Sequence, residues 1–393
     1  MKILFLVPAY PNSASDYTGK FFRDQARALH GLGHQVGVIV APTLLGKRQL
    51  RKIRSLSDLK IKIQRLDDHG IPIIRSKGWG WFPGFLPQAN LELKVQITRQ
   101  TYQQYCQQYG TPDILHAQTC LPAGYLAARV LEKNNQTLVI TEHSTAFLRK
   151  LIPSFMNRPV NKALRRAGKV IAVGQKLAEK LQQVAPELEV CVLGNIVDES
   201  FFQNKLELPP LPPFIFCLVA VLKPNKRVDL LLRAFAHVFS GQQVQLRVGG
   251  DGPELSRLEA LSRSLGINEQ VQFLGRLDGT GVRQLLQTSH ALVSTSDYET
   301  FGLTAAEAMA CGRPVIATRS GGPEDFITEE TGLIVPVDDS EALSFAMQQI
   351  QTHYAQYDPQ TIRQTCQNQF SARMIAQHLE QIYRELVREA GNA

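Results

Sequence analysis

The chain is predicted to fold as an α/β protein of two doubly wound parallel-sheet domains, and three observations predict this. Its 393 residues exceed the size at which one hydrophobic core keeps growing. Short continuous apolar runs alternate with stretches of helical periodicity, the pattern of βαβ units around a parallel sheet. Finally, Leu208-Pro209-Pro210-Leu211-Pro212-Pro213 places four prolines where neither a helix nor a central strand can continue, which reads as a stiff linker. The domain boundary is set there, with an N-terminal domain over 1–208 and a C-terminal domain from 209.

In the first half, strands are expected at Ile3–Val7, Gln35–Val40, Ile114–His116, Leu138–Glu142, Val170–Val173 and Val190–Leu193, with a helix over Gly19–Gly33. In the second half, strands are expected at Phe214–Val221, Val244–Gly249, Val271–Leu274, Ala291–Ser296 and Val315–Thr318. Helices are expected there at Arg227–Phe239, Pro253–Leu265 and Gly302–Ala310. Ser371–Glu389 carries Met374, Ile375, Leu379, Ile382, Tyr383 and Leu386 at three- and four-residue steps, a helical stripe. In doubly wound sheets, ligands bind at the carboxyl ends of the strands.

A hydrophobic content of 44% and a charged content of 20% fit a soluble globular chain. The six cysteines form no CxxC pair, which argues against a zinc site or disulfide framework and fits a reducing compartment. The apolar start Ile3–Val7 is too short for a signal peptide and is closed by Pro8, and no run of about 18 apolar residues spans a membrane. The net charge of +8 is uneven. Residues 1–208 hold 28 Lys and Arg against 15 Asp and Glu, whereas residues 209–393 hold 15 against 20. A positive field over the first half and a mildly negative one over the second are expected.

The segments that carry chemistry sit at strand ends. Ser296-Asp297-Tyr298-Glu299-Thr300-Phe301-Gly302-Leu303-Thr304-Ala305-Ala306-Glu307 leads from a strand through a loop into a helix. Free amides and the dipole at that helix start make an anion site, and glycine lets a phosphate approach the backbone. Glu307 is placed to bind a ribose, or else closes a capping box with Thr304. Glu299 is placed to bind a sugar, or else is a solvated loop charge. Lys223-Pro224-Asn225-Lys226-Arg227 sets three cations at another strand end, suited to a leaving diphosphate or else a solvated basic turn. Gly249-Gly250-Asp251-Gly252-Pro253 either admits a base or ribose or is a tight turn with Pro253 opening a helix. In the first half, Tyr17-Thr18-Gly19-Lys20-Phe21 lacks the dinucleotide fingerprint, so an NAD site is not expected, and Gly19 instead offers close backbone approach to a sugar or diphosphate. His116 and His143 both end expected strands, where cleft residues sit, although a lone histidine is more often structural.

Taken together these segments resemble the family 4 retaining glycosyltransferases of the GT-B fold, in the family's order and over nearly the whole chain. The resemblance rests on the Gly19 loop, Gly33-His34-Gln35-Val36, Pro112–Ala117, Thr141-Glu142-His143, Val192–Asp198, Gly249–Pro253, and Glu299 to Glu307 as an E-x7-E pair followed by Ala310–Val315 and Ser320-Gly321-Gly322. It implies two Rossmann-like doubly wound parallel-sheet domains facing a cleft, with the C-terminal helix (371–393) crossing back to an N-terminal domain of 1–208. The domain over 209–370 is then the one that holds the nucleotide sugar. It further implies that Glu307 binds ribose hydroxyls and that Lys226 contacts the diphosphate with the helix start at Phe301, Gly302 and Leu303. Glu299 lies on the donor sugar, and His143 lies near its 6-hydroxyl. Gly19, Lys223 and Gly250 complete the donor set, and His116 and Tyr17 are the acceptor candidates. No cofactor and no metal are expected beyond the nucleotide-sugar substrate. Two positions depart from the family pattern: Ala220-Val221 stand where the family often has Gly-Arg, with Lys223 as the replacement for that arginine, and Ile196 stands where it has a turn glycine.

The expected activity is retaining transfer of a hexose-type sugar from a UDP- or GDP-sugar to a hydroxyl, here of a lipid-linked glycan or glycolipid in cell-envelope polysaccharide synthesis. Lys47, Arg48, Arg51, Lys52, Arg54, Lys60, Lys62 and Arg65 face only Asp58 within 19 residues, and Trp79, Trp81, Phe82 and Phe85 follow. A second basic cluster runs from Arg149 to Lys169. Both suit an anionic membrane surface, or else a charged surface loop with its aromatics folded inward. A cytoplasmic location, peripheral at the inner face of the cytoplasmic membrane, is expected, with no nucleic-acid partner. Competing readings are a sugar-nucleotide 2-epimerase of the same architecture and a scaffold that binds nucleotide sugars without catalysis.

Overall fold

The computed structural model describes residues 1–13, 16, 18–45, 61–79, 87–203 and 205–392. The chain forms two compact units. Unit 1 comprises Met1–Ala172, Ala178–Leu193 and Ile375–Ala393, and unit 2 comprises Val173–Leu177 and Gly194–Met374.

Unit 1 is built on an eight-stranded sheet of β1 (Lys2–Val7), β2 (Gln35–Leu45), β3 (Lys62–Asp68), β4 (Ile71–Trp79), β5 (Ile114–Gln118), β6 (Thr137–Glu142), β7 (Lys169–Ala172) and β8 (Val190–Val192). Their order is β3-β4-β2-β1-β5-β6-β7-β8. The central strands read as unbroken apolar runs because both faces are covered: Ile3, Leu4, Phe5, Leu138, Val139 and Ile140 are all fully buried. All pairings are parallel except β3 with β4. That antiparallel hairpin was not anticipated, because Lys62–Asp68 is largely polar and mostly exposed and has no apolar alternation to announce it. The helix Pro87–Tyr109 was missed too, since its glutamine-rich sequence carries only a weak apolar stripe. The last helix, Ala372–Asn392, returns to this unit and buries Ile375, Ala376, Leu379 and Tyr383 at three- and four-residue spacing.

Unit 2 is built on a six-stranded parallel sheet of β9 (Phe214–Val219), β10 (Val244–Gly249), β11 (Val271–Phe273), β12 (Ala291–Ser294), β13 (Val315–Thr318) and β14 (Gly332–Val335), in the order β11-β10-β9-β12-β13-β14. The order reverses between β9 and β12, so the loops that follow those two strands flank the topological switch point, where doubly wound sheets bind ligands. The core joins Phe216, Leu218 and Val248 of the sheet to Leu231, Phe235 and Phe239 of the helix Val228–Phe239. The proline run 208–213 lies within this unit. The main segment of the unit starts at Gly194, where Ile196, Val197 and Phe201 are buried and the Val197 amide donates to the Phe370 carbonyl at 2.9 Å.

Candidate functional site

In unit 2 the loops after β9 and β12 are laced to each other by hydrogen bonds. Thr295 Oγ1 donates to the Lys226 carbonyl at 2.8 Å, and the Asp297 amide donates to the Asn225 carbonyl at 2.9 Å. Thr318 Oγ1 donates to the Ser296 carbonyl at 2.6 Å. Strand β12 stops at Ser294 rather than at the expected Ser296, and Thr295 and Ser296 beyond it are held by these loop bonds. The lacing brings Lys226 and Glu299, 73 residues apart in sequence, into an ion pair of 2.5 Å between Nζ and Oε1. Ser296 Oγ donates to the same carboxylate oxygen at 2.8 Å. Both partners keep about a fifth of their side-chain surface in contact with solvent, 23% for Lys226 and 19% for Glu299, so a ligand can reach them.

The helix Leu303–Ala310 begins beside this pair. Its N-cap is Gly302, left-handed at φ 90° and ψ 52°, with no side-chain cap. A β-carbon at Gly302 would sit 2.8 Å from Pro323 Cγ, so both the backbone conformation and the space demand glycine. With glycine as N-cap, Thr304 falls at the second helical position and Glu307 at the fifth, which removes the capping-box alternative for Glu307. The helix is rich in alanine and buries Ala305, Ala306, Ala308, Met309 and Ala310. Phe301 is 4% exposed, its ring packed against Phe326 and Phe370, so only its backbone is available to a ligand.

Two sequence expectations are corrected in this unit, on Arg227 and on Pro253, and the glycine at 250 gains a structural reason. The basic loop offers two cations rather than three. Arg227, left-handed at φ 48°, is held by Asp338 at 2.5 Å, Asp297 at 3.3 Å and Asp229 at 3.7 Å. Lys223 is exposed. Gly250 serves the chain itself: its β-carbon would lie 1.8 Å from the Ala220 carbonyl oxygen, and the two loops bond through the Leu222 amide and the Asp251 carbonyl at 2.9 Å. Pro253 does not open a helix; that helix spans Leu255–Ser264 with Glu254 as N-cap.

In unit 1, Gly19 is the left-handed N-cap of the helix Lys20–Gly31. Phe21 and Phe22 of that helix pack on the His143 ring at centroid distances of 5.0 and 5.3 Å, so the Gly19 loop and His143 are neighbours. His143 Nε2 lies 2.6 Å from Gln118 Oε1, and Gln118 Nε2 donates to Gln25 Oε1 at 2.8 Å. The loop is pinned by Glu142, which accepts from the His143 amide at 2.9 Å, the Ser144 amide at 2.6 Å and the Cys120 amide at 2.6 Å. Burial pushes the Glu142 carboxyl up to about 7, against the three backbone donors that lower it. Gln25, Gln118, Glu142 and Ser296 were not singled out from the sequence. The one available signal was that Gln118 shares a strand face with His116, two residues earlier.

His116 does not serve an acceptor directly. It is fully buried, with Nδ1 at 2.5 Å from the Tyr383 hydroxyl and Nε2 at 2.7 Å from Thr141 Oγ1, and burial lowers its ring to about 3. It is a neutral core histidine. Tyr17 lies outside the described residues, as do Lys47, Arg48, Arg51, Lys52, Arg54, Lys60, Trp81, Phe82 and Phe85. Lys62 and Arg65 are exposed on β3, and Trp79 ends β4. Among the described residues, no helix is long and apolar enough to cross a membrane.

Residues 18–201 match the Glycosyltransferase Family 4 family and residues 198–358 match the family Glycosyl transferases group 1. The chain is 28% identical over 295 residues to the N-acetyl-alpha-D-glucosaminyl L-malate synthase of Bacillus anthracis, covering 71% of this chain and 76% of that one. It is 25% identical over 416 residues to TuaC of Bacillus subtilis (strain 168), whose name places it among the glycosyltransferases of teichuronic acid biosynthesis, covering 99% of each chain. Among solved structures, the sucrose-phosphate synthase of Thermosynechococcus elongatus aligns with a TM-score of 0.77 at 24% identity, over 99% of this chain and 100% of that one, which establishes the likeness of fold.

Proposed function

The chain belongs to the family 4 glycosyltransferases of the GT-B fold, and from that premise we propose that it moves a hexose-type sugar, with retention, from a UDP- or GDP-sugar to a hydroxyl of a lipid-linked glycan. The observation that carries this reading is the Lys226–Glu299 pair beside the uncapped helix at Gly302. One cation, one carboxylate and a row of helix-start amides meet at the switch point of a doubly wound sheet. That set suits a sugar diphosphate: the amides and Lys226 take the phosphates, with Lys223 beside them, and the carboxylate takes sugar hydroxyls.

In the proposed reaction the acceptor oxygen attacks the anomeric carbon from the face that the diphosphate leaves. The anomeric carbon–phosphate oxygen bond breaks as the new glycosidic bond forms. The acceptor proton passes to the departing phosphate oxygen, so the released nucleoside diphosphate carries it. Lys226 and the helix dipole at Leu303 stabilise the charge that develops on the leaving group without a metal ion. Glu299 orients the sugar and favours positive charge at its anomeric carbon. Glu307 binds the ribose, and His143, buttressed by Gln118 and Phe21, with the Gly19 loop beside it, takes the sugar's 6-hydroxyl. The enzyme works in the cytoplasm, at the inner face of the membrane that carries its acceptor, in cell-envelope polysaccharide synthesis.

The test is a thermal-shift screen of UDP-, GDP- and ADP-sugars on the wild type and on Glu307→Ala. Stabilisation by one nucleotide class, abolished in the variant, is the expected result. A folded protein stabilised by none of them overturns the reading. Nucleotide release that needs no acceptor and yields an epimerised sugar nucleotide would replace transfer by epimerisation. The anomeric coupling of the product, read by NMR in the presence of a chelator, tests retention and metal independence together.

A further inference from the structure

The segment that follows His143 in unit 1 has its own surface character. After the buried Phe147 and Leu148 the chain exposes Arg149, Lys150, Leu151, Pro153, Ser154, Phe155 and Arg158 before burying Val160. Leu151 is 56% exposed and Phe155 47%, the two most exposed large apolar side chains of unit 1 among the described residues. The turn of helix that carries Phe155, Ser154–Met156, buries no residue. Scattered exposed apolar groups are ordinary, but these two lie four residues apart on one loop.

The charge around them is one-sided. From residue 143 to residue 178 there are eight Lys and Arg and no Asp or Glu. Several of the cations further along are matched from elsewhere in the unit: Lys162 by Glu132, Arg165 by Glu187 and Lys169 by Glu189, while Arg166 donates to the Asn134 and Gln136 carbonyls. Arg149, Lys150 and Arg158, the cations flanking the apolar tip, form no ion pair among the described residues. A second copy of the chain is a poor occupant for this face, because a two-fold contact would set these three cations against their own equivalents. A surface with negative charge spread outside and hydrocarbon beneath satisfies both features at once. Leu151 and Phe155 enter the headgroup boundary while the flanking cations stay with the phosphates.

We propose that the loop 149–158 docks unit 1 on an anionic phospholipid surface, with Leu151 and Phe155 inserted. It draws its purpose from the proposed lipid-linked acceptor, but its test involves no donor, no acceptor and no turnover. The full chain is sedimented with vesicles of phosphatidylcholine alone and of phosphatidylcholine with phosphatidylglycerol. Three proteins are compared: wild type, Arg149→Gln/Lys150→Gln/Arg158→Gln, and Leu151→Ser/Phe155→Ser. All substitutions are exposed, and circular dichroism confirms folding. Wild type binds only the anionic vesicles. At about fivefold per cation near such a surface, the triple variant binds roughly a hundredfold more weakly. The apolar pair variant binds about tenfold more weakly. The emission that Phe155→Trp adds to that of Trp79 and Trp81 in the wild type shifts to the blue with anionic vesicles and is quenched by brominated acyl chains. Wild type that ignores anionic vesicles, variants that bind them as well as wild type does, or Phe155→Trp whose added emission neither shifts nor is quenched would each overturn the proposal. So would self-association abolished by Leu151→Ser/Phe155→Ser without vesicle binding. Transfer to a soluble acceptor would refute the lipid-linked acceptor and leave the docking surface standing.

Discussion

Replacing Gly302 by alanine tests whether the start of the helix Leu303–Ala310 is the phosphate site. The substitution carries two costs. A non-glycine residue at φ 90° costs about 1–2 kcal/mol for the left-handed backbone. Its β-carbon, 2.8 Å from Pro323 Cγ and 3.3 Å from Cδ, forces the helix start and the Pro323 turn apart, an overpacking cost of about 1–3 kcal/mol. Gly266→Ala provides the control. Gly266 has φ 69° with nothing within 4 Å of its β-carbon, so it carries only the backbone cost. It precedes β11 and therefore lies at the amino edge of the sheet, away from the site. Denaturant unfolding is expected to show a loss of about 1–2 kcal/mol for Gly266→Ala and about 2–5 kcal/mol for Gly302→Ala. Calorimetric titration with the nucleoside diphosphate is expected to show no change for Gly266→Ala. For Gly302→Ala it should show roughly tenfold weaker binding, the worth of a displaced helix terminus and its amides. If the two variants bind the diphosphate equally well, the helix start is not where the phosphates sit, however large the stability difference.

The Lys226–Glu299 pair makes a second prediction. Lys226→Met is expected to lower kcat/KM about a hundredfold, from a lost charge-assisted bond of about 2–3 kcal/mol, while changing folding stability by less than about 1 kcal/mol because the pair is partly solvated. Glu299→Gln frees the lysine, so transfer should fall while the bare nucleoside diphosphate binds a few-fold more tightly. Diphosphate affinity that falls in step with transfer would show that lysine and carboxylate do not compete. Glu142 makes a third prediction, about pH. Its carboxyl is raised by burial to about 7 in the folded chain, against about 4.3 for an unperturbed glutamate. A raised acid favours folding below its unfolded value, and that contribution is lost as pH climbs through the folded value. Between pH 4.5 and 7.5, roughly, the wild type should lose about 3 kcal/mol relative to Glu142→Gln in urea unfolding, and parallel pH–stability curves would rule this out.

The parts of this protein that were legible in the sequence are those governed by local chemistry. Most parallel strands of both sheets, though not β4 or β14, announced themselves because burial on two faces leaves continuous apolar runs, and the helix at Gly302 did so because glycine follows a strand end there. Strand β3 and the helix Pro87–Tyr109 did not, since mostly exposed or polar-rich elements carry no such run. Arg227 looked like a free phosphate ligand because two of its three carboxylate partners, Asp297 and Asp338, lie far along the chain.

The two histidines show the limit most sharply. Both were placed at strand ends, yet β5 runs two residues past His116 to Gln118, whereas β6 stops one residue short of His143. A shift of two positions in a strand keeps the side-chain face and changes only how deep the residue sits. That depth decides the chemistry here. His116 is sealed beneath Tyr383, a residue 267 positions away on the returning helix, and both its ring nitrogens are committed to protein groups. His143 clears the sheet edge, and Gln118, the residue that made β5 longer than expected, is the one that holds its ring at 2.6 Å. The same extension of one strand thus leaves one histidine sealed within the sheet and gives the other a side-chain partner at the sheet edge.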